Sequence, residues 1–458
     1  MFNFKKATEE IFEVPAEILE ETIEFAIREE RKIVRKKPFK LAEEYFNTLG
    51  PGLTTGAADD DPSGIATYSQ AGASYGFQLL WLSLFTFPFM AIVQEMCARI
   101  GIVTGEGLAA NIRRSYSNKV LRLITILLFT ANTLNIAADL GAMSAATRLL
   151  LPNFSFEILV AFFAVVSLLL QIFTTYARYA KILKYLTLAL FSYVFTAFAV
   201  HMDWGAAFSH TIIPSITFSR NQIFLICAIL GTTISPYLFF WQTSQEVEEK
   251  ILRGEKTINS RKNDITPREL KDMRIDVWSG MFFSNLIMFF IIASCAVTLN
   301  VNGITDITSA SQAAQAIRPF GGELTYFFFA IGIIGTGLLA VPILAGSTAY
   351  AIAESFGWTQ GLYYKLKQAK AFYGVIIVSM VIGLIANLVH LDPIKMLIYS
   401  AVANGLVAPI ILYFITKISS NEKTMGDKKN NKATNFSGWF IIAIMSISGI
   451  AAIYSMFF

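Results

Sequence analysis

From about residue 50 onward the chain alternates long apolar runs with short charged stretches. Eleven runs can be marked, at about 52–75, 78–98, 120–146, 156–174, 185–203, 222–243, 277–299, 324–349, 372–390, 393–416 and 436–458. About twenty apolar residues, rising 1.5 Å each as a helix, cross the hydrocarbon core of a bilayer. Several of the runs contain Gly or Pro, which membrane helices tolerate better than soluble ones. The pattern predicts an all-α membrane protein with eleven transmembrane helices. Residues 1–46 break it. They carry Glu9, Glu10, Glu20 and Glu21 and a basic stretch from Arg28 to Lys40, without the apolar core of a signal peptide. They read as a cytoplasmic amphipathic tail, lying on the membrane surface or simply solvated. The membrane core then covers 47–416, followed by a cytoplasmic loop at 417–435 and an eleventh span at 436–458.

Composition agrees. Hydrophobic residues make up 54% of the chain and charged ones only 15%, against about a quarter in soluble domains. The net charge of +4 is spread over the short loops, so it signals no nucleic-acid partner. With the N-terminus inside, the cytoplasmic segments hold 33 of the 37 Lys and Arg residues, and only Arg148, Arg220, Arg318 and Lys395 fall on the other side. The positive-inside rule therefore predicts a plasma-membrane protein with a cytoplasmic N-terminus and an external C-terminus. Cys97, Cys227 and Cys295 all lie in apolar runs, without metal-binding or disulfide spacing. Lipid is an expected partner, and no obligate protein partner is evident.

Two runs are interrupted. The first reads GPGLTTGAADDDPSGIATYSQAGA from Gly50, with Asp59, Asp60 and Asp61 followed by Pro62, Ser63 and Gly64. Each acid at the bilayer centre costs about 2.5–3.5 kcal/mol on insertion scales, and Pro62 removes a backbone donor. Such a segment must be buried in protein or line an aqueous cavity, unless it is a surface loop. The sixth run, LGTTISPYLFFWQTSQEVEE from Leu230, places Gly231, Thr232, Thr233 and Ser235 ahead of Pro236. The two breaks stand five spans apart, an odd number, so the second copy enters the membrane from the opposite side. That is the mark of an inverted repeat, spans 1–5 against 6–10, with a substrate site between the breaks.

GPGLTTGAADDDPSGIATYSQAGASYGFQLLW and ARIGIVTGEGLA resemble the NRAMP family of divalent-metal transporters, and the whole plan resembles its LeuT-type inverted repeat. The resemblance covers roughly 45 to 415. The family's span 1 motif, Asp-Pro-Gly-Asn, reads Asp61-Pro62-Ser63-Gly64 here. Its span 6 motif, Ala-x-x-Met-Pro-His, reads Thr232-Thr233-Ile234-Ser235-Pro236-Tyr237. By resemblance the metal position is Asp61, Gly64, Thr232 (through its carbonyl) and Ser235. Gly64 stands where the family has an asparagine amide and Ser235 where it has a thioether. Losing sulfur removes a soft ligand that favours transition metals, and the smaller side chains leave room for a partly hydrated ion. The pattern resembles the NRAMP-related magnesium transporters. Proton-handling positions differ too: Tyr237 and Gln242 replace histidines, and Asn132 and Ala142 replace acids of span 3, leaving Asp139. Asn404 lies one turn from Ala401, which stands at a family glutamine. Asp59 and Asp60 are pathway or second-shell candidates, Asp60 first. None of His201, His210 and His390 falls in a break.

The expected function is uptake of Mg²⁺, with Mn²⁺ as a further substrate, by alternating access without tight proton coupling and without a cofactor. The alternatives are a proton-coupled Mn²⁺/Fe²⁺ importer and a sodium-coupled small-solute symporter of the same fold. No nucleophile–base pair lies in a span core, and HExxH is missing, so an enzyme is not expected.

Overall fold

The structure is a computed structural model that describes residues 45, 46, 48–217, 219–263, 265–389, 391 and 393–457. The chain divides into Met1–Leu49 and Gly50–Phe458, and the fold below is that of the second unit. The amphipathic tail lies outside the described residues except for Tyr45 and Phe46, and so does His390.

Every described element is a helix or a short 3₁₀ turn. In chain order the α-helices are α1 Pro51–Asp59, α2 Pro62–Tyr75, α3 Trp81–Thr104, α4 Leu108–Ser115, α5 Asn118–Leu150, α6 Phe156–Phe173, α7 Tyr176–Leu186, α8 Phe191–Ala199 and α9 Trp204–Ile212. They continue as α10 Arg220–Thr233, α11 Pro236–Leu252, α12 Ile258–Asn263, α13 Pro267–Thr298, α14 Ala310–Phe356, α15 Lys370–Leu388, α16 Pro393–Ser419, α17 Glu422–Met425 and α18 Lys432–Phe457.

Among the described residues, nine helices or end-to-end helix pairs are long and apolar enough to cross a membrane. The eleven apolar runs exceed that number at two places. The first run is cut into α1 and α2, and at 1.5 Å per residue each falls short of a ~30 Å hydrocarbon core. The tenth is α16, whose Val407–Ser419 stretch is apolar. Large apolar side chains such as Leu123, Phe162, Phe173, Phe198 and Ile447 point outward, as a lipid-facing belt requires.

The broken first run is held by α13. Gly52 and Gly56 form a Gly-x-x-x-Gly face, the small-residue pattern that lets two membrane helices approach closely. A Cβ on Gly56 would lie 2.3 Å from the carbonyl oxygen of Gly280, and one on Gly72 of α2 would lie 2.3 Å from that of Ile292. Both halves of the break thus rest on the same helix. Asp276 of α13 fastens the start of α1: its carboxylate accepts from the amides of Gly50 (2.7 Å), Gly52 (2.6 Å) and Leu53 (3.0 Å). These are donors that a helix N-terminus leaves unpaired, and the negative charge faces the positive end of the helix dipole. The longest helix, α14, turns at Gly322, where φ is 80°, a backbone angle that glycine adopts without strain. Beyond that turn it packs along α5.

Candidate functional site

The first break is short. α1 ends at Asp59, Asp60 belongs to neither helix, and Asp61 caps α2. The Asp61 Oδ1 atom accepts from the Gly64 amide and from the Ser63 hydroxyl, both at 2.7 Å. Pro62 occupies the first helical position, where its missing N–H is not needed. Asp59 Oδ2 accepts from the Ser284 hydroxyl of α13 at 3.1 Å, whereas neither oxygen of Asp60 has a hydrogen-bond partner. All three acids are buried, and Asp59 and Asp61 engage different partners. Among the described residues no three His, Cys, Asp or Glu side chains gather into a preformed metal cage.

A fourth acid joins Asp61. Asp139 of α5 is fully buried, both its oxygens lack partners, and it interacts with the Asp61 carboxylate beside the backbone of Ser63. One turn further along α5, the Met143 sulfur packs against Gly337 of α14, which also borders Pro62. A thioether therefore stands near the break, from a helix where none was expected. The sequence contained its signal, a methionine one helical turn after the only acid of its span, but the resemblance directs attention to the span 6 position instead.

The second break faces the first. α10 ends at Thr233 and α11 starts at Pro236. A Cβ on Gly64 would meet the Asp59 carbonyl oxygen at 3.0 Å, Asp61 Oδ1 at 3.4 Å and the Thr232 hydroxyl at 3.5 Å. Gly64 thus marks the gap between the Asp61 carboxylate and Thr232. Two tyrosines tie the breaks together. Tyr237 Oη donates to the Ala58 carbonyl at 2.8 Å, and Tyr68 Oη and Thr233 Oγ1 share a hydrogen bond of 3.1 Å. Tyr237 stands where the family carries a histidine, and here it satisfies a carbonyl at the open end of α1. Ser235 turns back on its own helix: its hydroxyl donates to the carbonyls of Gly231 (3.1 Å) and Thr232 (2.6 Å). The Thr232 carbonyl is therefore already engaged by a protein donor.

Two other candidates have hydrogen bonds elsewhere, and a third is buried without one on its side-chain oxygen. The Asn132 amide donates to Thr348 Oγ1 of α14 at 2.8 Å, about two turns along α5 from Asp139. Gln242 donates to Glu246 at 2.8 Å within α11. Asn404 is buried on α16 with its Oδ1 unpaired. His201 is exposed and His210 lies against Phe77.

A helical bundle spanning the membrane many times, with two helices broken at facing points around buried carboxylates, is a transporter of the LeuT-type fold rather than an enzyme. The family described as natural resistance-associated macrophage protein-like (Nramp) matches residues 52–455. The chain belongs to the Nramp family. Among its relatives are two proteins named divalent metal cation transporter MntH. The one from Klebsiella pneumoniae (strain 342) is 25% identical, over 88% of this chain and 92% of the relative. The one from Caldanaerobacter subterraneus is also 25% identical, over 89% of this chain and 93% of the relative. The fold is shared with the Eremococcus coleocola manganese transporter, at TM-score 0.72 and 16% identity over 91% of this chain and 88% of that one. Mhp1, a nucleobase-cation-symport-1 family transporter in a closed conformation, shares it at TM-score 0.54 and 13% identity, over 89% and 91%.

Proposed function

We propose that this protein carries divalent metal cations across the plasma membrane by alternating access, with Mg²⁺ as its main substrate and Mn²⁺ as a second. In this reading it crosses eleven times, the divided α1–α2 and α16 adding to the nine apolar spans, with the N-terminus in the cytoplasm and the C-terminus outside. The metal sits between the breaks, held by Asp61 and Asp139 with oxygen from Thr232.

The observation that carries the reading is the Asp61–Asp139 pair. Asp61 has one oxygen engaged by α2 and Asp139 has none engaged. Buried carboxylates without counter-charges are unfavourable in a membrane interior, and a divalent cation neutralises two of them at once. The curated relatives are named for divalent metal transport, which fits that charge. Mg²⁺ is usually bound through one or two carboxylates with several waters kept, so a two-carboxylate site suits a hydrated hard ion. Ser235 in place of a thioether removes a soft ligand at that position.

A second reading, a proton-coupled Mn²⁺ importer, is favoured by Met143, whose sulfur offers a soft donor near Pro62. The two readings part over protons. Coupling needs a group that exchanges a proton as metal binds and a relay that releases it. Tyr237 is bonded to Ala58 and Asn132 to Thr348, and neither side chain titrates usefully at neutral pH. The driving force is then the metal gradient plus the membrane potential, about 4.6 kcal/mol per 100 mV for a double charge. In proteoliposomes holding a pH-sensitive dye, metal influx is expected to rise with an inside-negative potential and to leave the lumen without stoichiometric acidification. Metal-driven acidification would overturn the uncoupled mechanism in favour of the second reading.

A further inference from the structure

Where α4 and α5 meet the end of α14, two arginines come together without a counter-charge. The start of α4 is fixed to α14 by a hydrogen bond of 3.1 Å from the Ala110 amide to Glu354 Oε2. Three residues on, the Arg113 guanidinium lies against Gly357, which ends α14 with φ 72°. A side chain at 357 would collide with Arg113 Nη1, so the glycine both turns the chain and admits the guanidinium. From α5, the Arg122 guanidinium carbon lies over the Phe356 ring, 5.4 Å from its centroid. Two guanidinium groups thus reach consecutive residues from different helices. Their neighbour Arg114 pairs with Glu106, but among the described residues neither Arg113 nor Arg122 pairs with a carboxylate. The two stretches of chain that meet here offer none. Residues 107–138 hold Arg113, Arg114, Lys119 and Arg122, residues 355–391 hold three lysines, and neither stretch contains Asp or Glu. Like charges so placed repel each other, and an anion between them relieves the repulsion.

We infer that Arg113 and Arg122 bind the phosphate of an anionic phospholipid headgroup, beside the rings of Phe356 and Trp358. Those rings stack at 5.0 Å and 18°, and both side chains are exposed, at 45% and 40%. Exposed aromatic side chains of this kind sit at the headgroup level of a bilayer. On α5, Leu123 and Ile126 follow Arg122 and are 60% and 57% exposed, so the helix passes from charged to lipid-facing within about one turn. Headgroup phosphates lie at that border. A guanidinium presents forked donors that match phosphate oxygens, and basic pockets at the ends of membrane helices take anionic headgroups. A zwitterionic lipid fits less well, because its own ammonium leaves no net charge for two unpaired arginines. Bound there, the phosphate ties α4 and α5 to the end of α14. The inference goes beyond the metal-carrier reading, since it depends neither on the ion carried nor on the side of the membrane where this corner lies.

The test uses the purified full-length protein in detergent micelles, titrated with phosphatidylglycerol or, as the zwitterionic control, phosphatidylcholine, while Tm is followed. Phosphatidylglycerol is expected to raise Tm saturably, by about 2 °C or more beyond phosphatidylcholine. In Arg122→Gln the half-saturating phosphatidylglycerol fraction should rise at least about 5-fold, for one lost charge-assisted contact. Its Tm in phosphatidylcholine should stay within about 1 °C of the wild type. Arg268→Gln, which removes an exposed arginine from α13, should leave the midpoint unchanged. Equal effects of the two lipids on the wild type, or equal weakening by Arg268→Gln, would overturn the site, because the protein would then respond to bulk lipid or to overall charge. So would an Arg122→Gln protein whose Tm falls in both lipids with its midpoint unchanged, which would make Arg122 structural only. Inorganic phosphate that reproduces the rise would assign the arginines to a soluble anion and overturn the lipid site. If Arg122→Gln cannot be purified, Arg113→Gln replaces it with the same expected shift, and an unchanged midpoint there refutes the site equally.

Discussion

Replacing Asp61 with Ala should abolish metal binding and lower flux by at least about 100-fold, or about 2.7 kcal/mol of lost binding. A divalent ion inside the membrane needs carboxylate to offset its dehydration, and Asp61 is the acid that both breaks share as a neighbour. Asp61 also caps α2 through the Gly64 amide, and losing a cap costs about 1 kcal/mol. Asp61→Asn separates the two roles, because its side-chain oxygen still caps the helix but carries no charge. The asparagine variant should fold with a near-normal Tm in detergent and still fail to bind Mn²⁺ or Mg²⁺ by calorimetry. Near-normal flux in either variant would place the metal elsewhere.

The second large effect concerns selectivity. Ser235→Met should shift preference toward Mn²⁺ and Cd²⁺ over Mg²⁺, because it introduces a soft ligand at the second break. It also removes the hydroxyl that occupies the Thr232 carbonyl, freeing an oxygen for the ion. The lost hydrogen bonds are worth roughly 0.5–1.5 kcal/mol each, which a bundle of this size tolerates. Adding Gly64→Asn is less direct. Its Cβ would meet the Asp59 carbonyl oxygen at 3.0 Å, so the break must give slightly to admit it. Comparing Cd²⁺ and Mg²⁺ competition against Mn²⁺ uptake in the single variant and the wild type reads the effect. Unchanged ratios would mean that position 235 does not face the ion.

Both breaks were legible in the sequence because their causes are local. Pro62 and Pro236 cannot continue a helix from the preceding turn, and the polar residues before them cannot face lipid. The helices indeed part between Asp59 and Pro62 and between Thr233 and Pro236. What joins the breaks to the bundle was not legible, because it depends on contacts between residues far apart in the chain. Asp276 fastens α1 from more than two hundred residues away, and in sequence it reads only as an acid at the start of an apolar run. The close packing of Gly52 and Gly56 of α1 on α13 is likewise a contact between distant parts of the chain. From sequence alone, a lone buried acid such as Asp139 reads equally as a hydrogen-bonded structural aspartate and as a functional one. In the proposed reading its unpaired oxygens beside Asp61 make it the second carboxylate on the metal. Tyr237 and Ser235 read as substitutions at family positions. Their hydrogen bonds to Ala58, Gly231 and Thr232 show that they also hold the broken helix ends, a role that residue identity alone does not reveal.

The central claim is that a hard divalent ion is the preferred substrate, and competition in sealed vesicles tests it most directly. Mn²⁺ influx into proteoliposomes of the wild-type protein would be followed while external Mg²⁺ is raised. Mg²⁺ is expected to suppress Mn²⁺ entry saturably, with half-inhibition at no more than about a tenfold excess. Mn²⁺ entry that continues unchanged under an about 100-fold excess of Mg²⁺ would contradict the claim.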